Sequence, residues 1–144
     1  GQGLVIAEHL RTMATLKTPI ISIIIGEGGS GGALALSLAD RLIMMENSYF
    51  SVISPEGAAS ILFKDSSMAQ EAAKNLKLTA SDLKSFGIVD NVIREPEGFS
   101  RFNMDASVEE IRRVIRAALR RLMRIPPERL VENRHQKYLN MRGL

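Results

Sequence analysis

Apolar positions along this chain fall into a helical rhythm, then a strand rhythm, then a helical one again. Ile6, Leu10 and Met13 recur at helical spacing, with Glu8, Arg11 and Thr12 on other faces, and predict a helix over residues 4–16. It stops before Thr18-Pro19, because a residue preceding proline is held away from the helical region. Residues 20–25 form an almost unbroken β-branched run with only Ser22 interrupting it. A strand that is apolar on both faces is predicted to lie in the middle of a covered parallel sheet. A glycine-rich turn over 26–32 follows, then a short all-apolar helix over 33–39, predicted to be buried on every side. Residues 42–45 and 49–53 read as strands separated by the turn Glu46-Asn47-Ser48.

Helix signals dominate from there. Ser54-Pro55-Glu56 combines a capping hydroxyl, a proline suited to the first helical position and an acid in the first turn. A helix over 68–76 presents Ala69, Ala72, Ala73 and Leu76 on one face. Thr79 caps a short helix that ends at Gly87, a left-handed C-terminal glycine, and residues 88–93 close the sheet. Residues 96–104 are a predicted loop. Ser107 and Glu110 match a capping box ahead of a long helix with Val108, Ile111, Ile115, Leu119 and Leu122 on its apolar face. Pro126-Pro127 breaks that helix, and a last one runs to about Asn140. The order predicts an α/β domain with a helical appendage, the core over 1–105 and the extension over 106–144.

The glycine stretch, Gly26-Glu27-Gly28-Gly29-Ser30-Gly31-Gly32-Ala33, carries the candidate chemistry. Glycines at the mouth of a helix expose N–H groups to anything negatively charged or becoming so. A nucleotide P-loop needs Gly-Lys-Ser/Thr, and Gly32 is followed by Ala33, so that reading fails. A dinucleotide fingerprint is matched literally by Gly26, Gly28 and Gly31, with Glu46 where a ribose-binding acid would stand. The very short helix and the Ser54-Pro55-Glu56 sequel argue against it. An oxyanion hole is the third reading, built from preorganised backbone donors each worth a few kcal/mol, about 2.7–4 where measured. A tight turn whose glycines merely let strand and helix approach is the fourth.

Charge and composition narrow the classes. No cysteine is present, which excludes a disulfide framework and a thiolate zinc site. His9 and His135 lie far apart and read as partly exposed helix residues. From Ser107 onward ten Lys/Arg face four Asp/Glu, giving +6, against −3 for the remainder. The arginines follow a helical period without an aromatic stacking ladder, so we read a solvated or subunit-facing helix and predict neither a nucleic-acid nor a membrane partner. The chain opens on glycine already inside a helical pattern, and we expect further sequence upstream of Gly1.

Several segments resemble a known family. Gly31-Gly32-Ala33, Leu38, Asp40, Phe50 and Pro55-Glu56 are similar to the central signature of the crotonase superfamily, and Phe86-Gly87-Ile88-Val89-Asp90 resembles its later segment. More narrowly, residues 25–36 and 51–63 resemble the alpha subunits of bacterial acetyl-CoA carboxylase carboxyltransferase, and the similarity extends through the tail at 134–142. The resemblance implies a crotonase-like α/β fold, a spiral core of ββα units present in part, with a C-terminal helical extension. It also implies a family roughly twice this length, whose upstream half carries more of the core.

In function, the resemblance implies transfer of a carboxyl group from carboxybiotin on the biotin carboxyl carrier protein to acetyl-CoA, giving malonyl-CoA for fatty acid synthesis. ATP is consumed by a separate biotin carboxylase subunit. The implied assembly is cytoplasmic and alpha2beta2, with the active site between unlike subunits. Gly31 and Gly32 would donate their N–H groups to the biotin carbonyl oxygen, while Gly28, Gly29 and Ser30 would shape the biotin approach, and Glu27 would be structural. Enoyl-CoA hydratases carry a glutamate where this chain has Leu34, which cannot position water, although Glu56 stands where their second glutamate would. A biotin-dependent acyl-CoA decarboxylase subunit and an assembly-only module inactive without an upstream half are the alternatives.

Overall fold

A computed structural model describes residues 1–95 and 104–141. Helix α1 (Gln2–Thr15) leads into β1 (Ile21–Ile24), then β2 (Glu27–Gly29) and α2 (Ser30–Ser37). Next come β3 (Arg41–Met45), β4 (Tyr49–Ser51) and α3 (Pro55–Leu62). A 3-10 turn (Ser66–Met68) precedes α4 (Ala69–Leu76) and α5 (Ala80–Ser85), followed by β5 (Asn91–Ile93). Helices α6 (Met104–Leu122) and α7 (Pro127–Leu139) complete the described chain. The predicted loop at 96–104 lies outside the described residues except for Met104, and so does Arg142.

Two parallel sheets form, one ordered β1-β3-β5 and one pairing β2 with β4. The centre of the larger sheet is β3, with Ile43 and Met44 fully buried, and β1 is its edge among the described residues. The expectation of a central, fully covered β1 is therefore corrected. Its residues are only half-buried, because among the described residues no strand pairs with its other side and a cleft opens beside α2. Residues alternate across the sheet as strand geometry requires. Leu42 and Met44 join Phe50, Leu83 and Val89 on one face, while Ile43, Met45 and Ile93 meet Ile111 and Val114 of α6 on the other. A separate small cluster of Ala58, Ala59 and Ala72 holds α3 against α4.

Local signals held where the hydrogen bond is local. Ser54 Oγ accepts from Gly57 N at 3.1 Å, with Pro55 at the first helical position. Thr79 caps α5, and Gly87 adopts a φ of 73° just past its end. The capping box did not form: α6 begins at Met104, which carries Ser107 into the first turn as a buried side chain. Glu110 pairs with Arg113 instead. The apolar face of α6 is also rotated, since Ile111, Val114 and Leu122 turn inward while Val108 and Leu119 are exposed.

Candidate functional site

The glycine stretch is a strand before it is a turn. Glu27–Gly29 pairs in parallel with Tyr49–Ser51, in the register Gly28 to Phe50 and Gly29 to Ser51. This corrects the predicted turn. The change follows from the backbone: Tyr49 N donates to Gly26 O at 3.0 Å and locks the register from its first residue. Gly28 is buried in this strand, and a Cβ placed on it would meet Phe50 Cδ2 at 3.1 Å and Ile24 at 3.2 Å. It shapes the site from within.

At Gly29 the chain turns outward into α2. Gly29 is the N-cap, extended at φ −104° and ψ 154°, with no side chain to cap the helix. Ser30 follows at φ 76°, a left-handed conformation that costs a non-glycine residue about 1–2 kcal/mol. The first-turn N–H groups of a helix have no acceptor within it, and here they belong to Ser30, Gly31 and Gly32. No acid sits in that turn. A Cβ on Gly31 would touch only Ile6 Cδ1 of α1, at 3.6 Å, and one on Gly32 only Ser30 Oγ, at 3.7 Å. The sequence-predicted donors therefore stand together at one open helix end, with the positive end of the helix dipole behind them.

The neighbouring surface is apolar. Leu34 is 42% exposed and Leu36 61%, so α2 is not the fully buried helix its composition predicted. One side of it faces a cleft of about 300 Å³ bordered by Ser22, Ile24, Ile25 and Ala33. The carboxylates Glu27 and Glu56 lie near Tyr49, whose hydroxyl is held above its ordinary pKa by burial first and by these two acids second. Glu46, the acid a dinucleotide site would require, accepts from Glu95 N at 3.1 Å. Among the described residues no group of His, Asp or Glu side chains is arranged to hold a metal ion, and no helix is long and apolar enough to cross a membrane.

Sequence reasoning missed what holds the other end of α2. Arg134 is buried with its side chain fully enclosed, paired with Asp40 at 2.9 Å. Tyr138 Oη bonds the backbone of Ser37 and Ala39. The signal was present: Leu130, Arg134 and Tyr138 repeat at i, i+4, i+8, which places a lone arginine in line with a buried leucine. Next to this network Asp90 accepts from Arg41, Lys137 and Leu42 N.

Comparison with known proteins bears on the fold and the family. A Pseudomonas malonate decarboxylase hetero-dimer superposes with a TM-score of 0.69 at 19% identity, over 99% of this chain and 59% of that one. At that identity the likeness shows the fold, which is the expected crotonase-like one. The acetyl-coenzyme A carboxylase carboxyl transferase alpha subunit of Geobacillus thermodenitrificans is 51% identical over 141 residues, 98% of this chain and 43% of that protein. Its counterpart in Clostridium perfringens is 50% identical over 141 residues, covering 98% of this chain and 52% of the relative. The chain thus spans about half the length of the curated relatives it matches. The family model described as acetyl co-enzyme A carboxylase carboxyltransferase-like matches residues 1–142, and the chain belongs to that family.

Proposed function

We propose that this chain works as part of the alpha subunit of an acetyl-CoA carboxylase carboxyltransferase, moving a carboxyl group from carboxybiotin to acetyl-CoA to form malonyl-CoA. The observation that carries the reading is the uncapped start of α2, where Gly29 offers no side chain and the N–H groups of Ser30, Gly31 and Gly32 have no partner within the helix. A neutral carbonyl that gains negative charge suits these donors better than a permanent anion does, because no lysine or arginine stands in the stretch.

Carboxybiotin, presented by its carrier protein, supplies the carboxyl group. Gly31 and Gly32 hold the negative charge that develops at the biotin carbonyl oxygen, and their missing side chains allow that oxygen to come close. Gly28 and Gly29 set the path of the strand into the helix, and Ser30 aims the first turn. Leu34 presents no carboxylate to activate a water beside the donors. The thioester enolate is held by a beta subunit, in an alpha2beta2 cytoplasmic assembly, while ATP is used by a separate biotin carboxylase. Within the chain, residues 1–105 belong to the crotonase-like core and 106–144 to a helical extension of the same domain. The contacts of Ile111 and Val114 with the sheet support placing both parts in one domain.

The test uses the full alpha subunit assembled with its beta partner. It should carboxylate a free biotin analogue from malonyl-CoA, and Gly31→Ala, which keeps the N–H but adds a methyl beside it, should lower turnover by up to about 10²-fold, the scale of a misplacement of about 1 Å. Assembly should be retained, since the added Cβ meets only Ile6 at an ordinary distance. No turnover by the assembled wild type overturns the reading, and an unchanged rate in the variant shows that the missing side chain of Gly31 is not needed for the oxygen to come close.

A further inference from the structure

We propose that Tyr138 and Arg134, on the last described helix, are positioning residues for the Gly31-Gly32 donors, an inference that rests on the function proposed above. A catalytic constellation must be held to within about 0.5 Å, and side chains or backbone that serve it need support from neighbours. Helix α2 is poorly placed to hold itself. It has eight residues, Leu34 and Leu36 face outward, and the strand that leads into it has three residues.

Its support comes from the far end. Tyr138 Oη donates in a forked bond to Ser37 O at 3.0 Å and Ala39 O at 3.1 Å, and accepts from Ala39 N at 2.8 Å. One residue further on, Asp40 takes Ile20 N at 2.8 Å, fixing the start of β1 against the end of α2. The same carboxylate receives Arg134 Nε at 3.0 Å and one terminal nitrogen at 2.9 Å. Arg134 spends its remaining donors on α1 and the turn after it, reaching Met13 O at 2.8 Å, Leu16 O at 2.9 Å and Thr18 O at 3.0 Å. Helix α1 in turn brings Ile6 Cδ1 to 3.6 Å from where a Cβ on Gly31 would stand. Two side chains of α7 therefore fix both helices that meet at Gly31, one by its C-terminal carbonyls and the other by the joint that follows it.

Tyr138→Phe keeps the ring and removes only the hydroxyl, and Arg134→Lys keeps the charge and loses the fork. Both are made in the full alpha subunit assembled with its beta partner. Hydrogen exchange of the α2 amides is read by mass spectrometry, alongside biotin carboxylation from malonyl-CoA. In Tyr138→Phe the α2 amides should exchange up to about tenfold faster, the range of one net hydrogen bond. The kcat should fall by a similar factor while KM for malonyl-CoA stays within about twofold of wild type. Ser54→Ala serves as the matched control: it loosens α3 but should leave α2 exchange and kcat unchanged. Equal effects of Ser54→Ala and Tyr138→Phe on α2 exchange and kcat would mean a general loss of stability and would overturn the proposal. Unaltered α2 exchange in both α7 variants overturns it too. Faster exchange with an unaltered kcat also overturns it, and Gly31→Ala measured in parallel then tells the two ideas apart. A slow Gly31→Ala shows that only the positioning role has failed, while an unaltered one shows that the close approach over Gly31 has failed with it.

Discussion

The two ends of α2 are treated in opposite ways. At the glycine end, the first-turn donors have no partner within the helix, the cap residue has no side chain and Ser30 is bent into a left-handed conformation. At the other end, Ser37 and Ala39 bond Tyr138, Asp40 is shared between Ile20 and Arg134, and Arg134 is almost completely buried. An open end can stay open only if the helix is fixed elsewhere, because unpaired first-turn groups contribute nothing to holding it. The comparison teaches that donor geometry and donor support are separate tasks, assigned here to residues about a hundred positions apart in sequence.

The largest expected effect lies at the closed end. Arg134→Met leaves the buried Asp40 carboxylate without its cation and strands three backbone carbonyls. It should cost about 3–5 kcal/mol, read as a drop in the denaturant midpoint of the full subunit. A midpoint within experimental scatter of wild type would mean the two ends do not differ as described. Gly28→Ala comes next, at about 1–3 kcal/mol, since the new methyl must push against Phe50 and Ile24 inside the core. If it proves harmless, the strand reading of the glycine stretch loses its packing argument.

Ser30→Gly runs in the other direction. Releasing a left-handed serine should raise stability by about 0.5–1 kcal/mol, after the greater freedom of glycine in the unfolded chain is set against the relief. Thermal melting checks the sign, and a loss would show that Ser30 is not strained. The smallest effect is a pH dependence at the closed end. Burial first, opposed by the bond with Ala39, raises the Tyr138 phenol above its ordinary value. At pH values between the unfolded and folded pKa the folded chain then holds a phenol proton that the unfolded chain has lost. The stability it contributes is complete below the unfolded value of about 10 and is lost as pH rises through the higher folded value. Phenolate absorbance should show Tyr138 ionising later than an exposed tyrosine, and ionisation in the ordinary range would contradict this account.

Much of the site was legible because its signals are local. The Gly29-Ser30-Gly31-Gly32 run, the Ser54-Pro55 cap and the Gly87 terminator each act within a few residues, where backbone preference and one short hydrogen bond decide the outcome. Errors came where the deciding partner lies far along the chain. The run at 20–25 looked central because apolar character shows burial tendency and not pairing, and β3 took the central place. Ser107 and Glu110 matched a capping box by spacing, but α6 started earlier, at Met104. The C-terminal arginines looked solvated or subunit-facing as a group, and among the described residues Arg134 alone turned inward, because Asp40 and the carbonyls at and after the end of α1 accept its hydrogen bonds.

What the sequence determined by itself is the chemistry available at the start of α2: backbone N–H groups without side chains in front of them, and Leu34 where a carboxylate would have activated water. Those residue types supply these donors and no carboxylate at position 34, wherever the rest of the chain goes. Only the tertiary structure decided that this helix would be anchored by its other end, since Asp40, Arg134 and Tyr138 become partners only when α7 folds back across α1 and α2. A buried charge pair has no signature in local preference, because its favourable energy exists only after both groups have left water together.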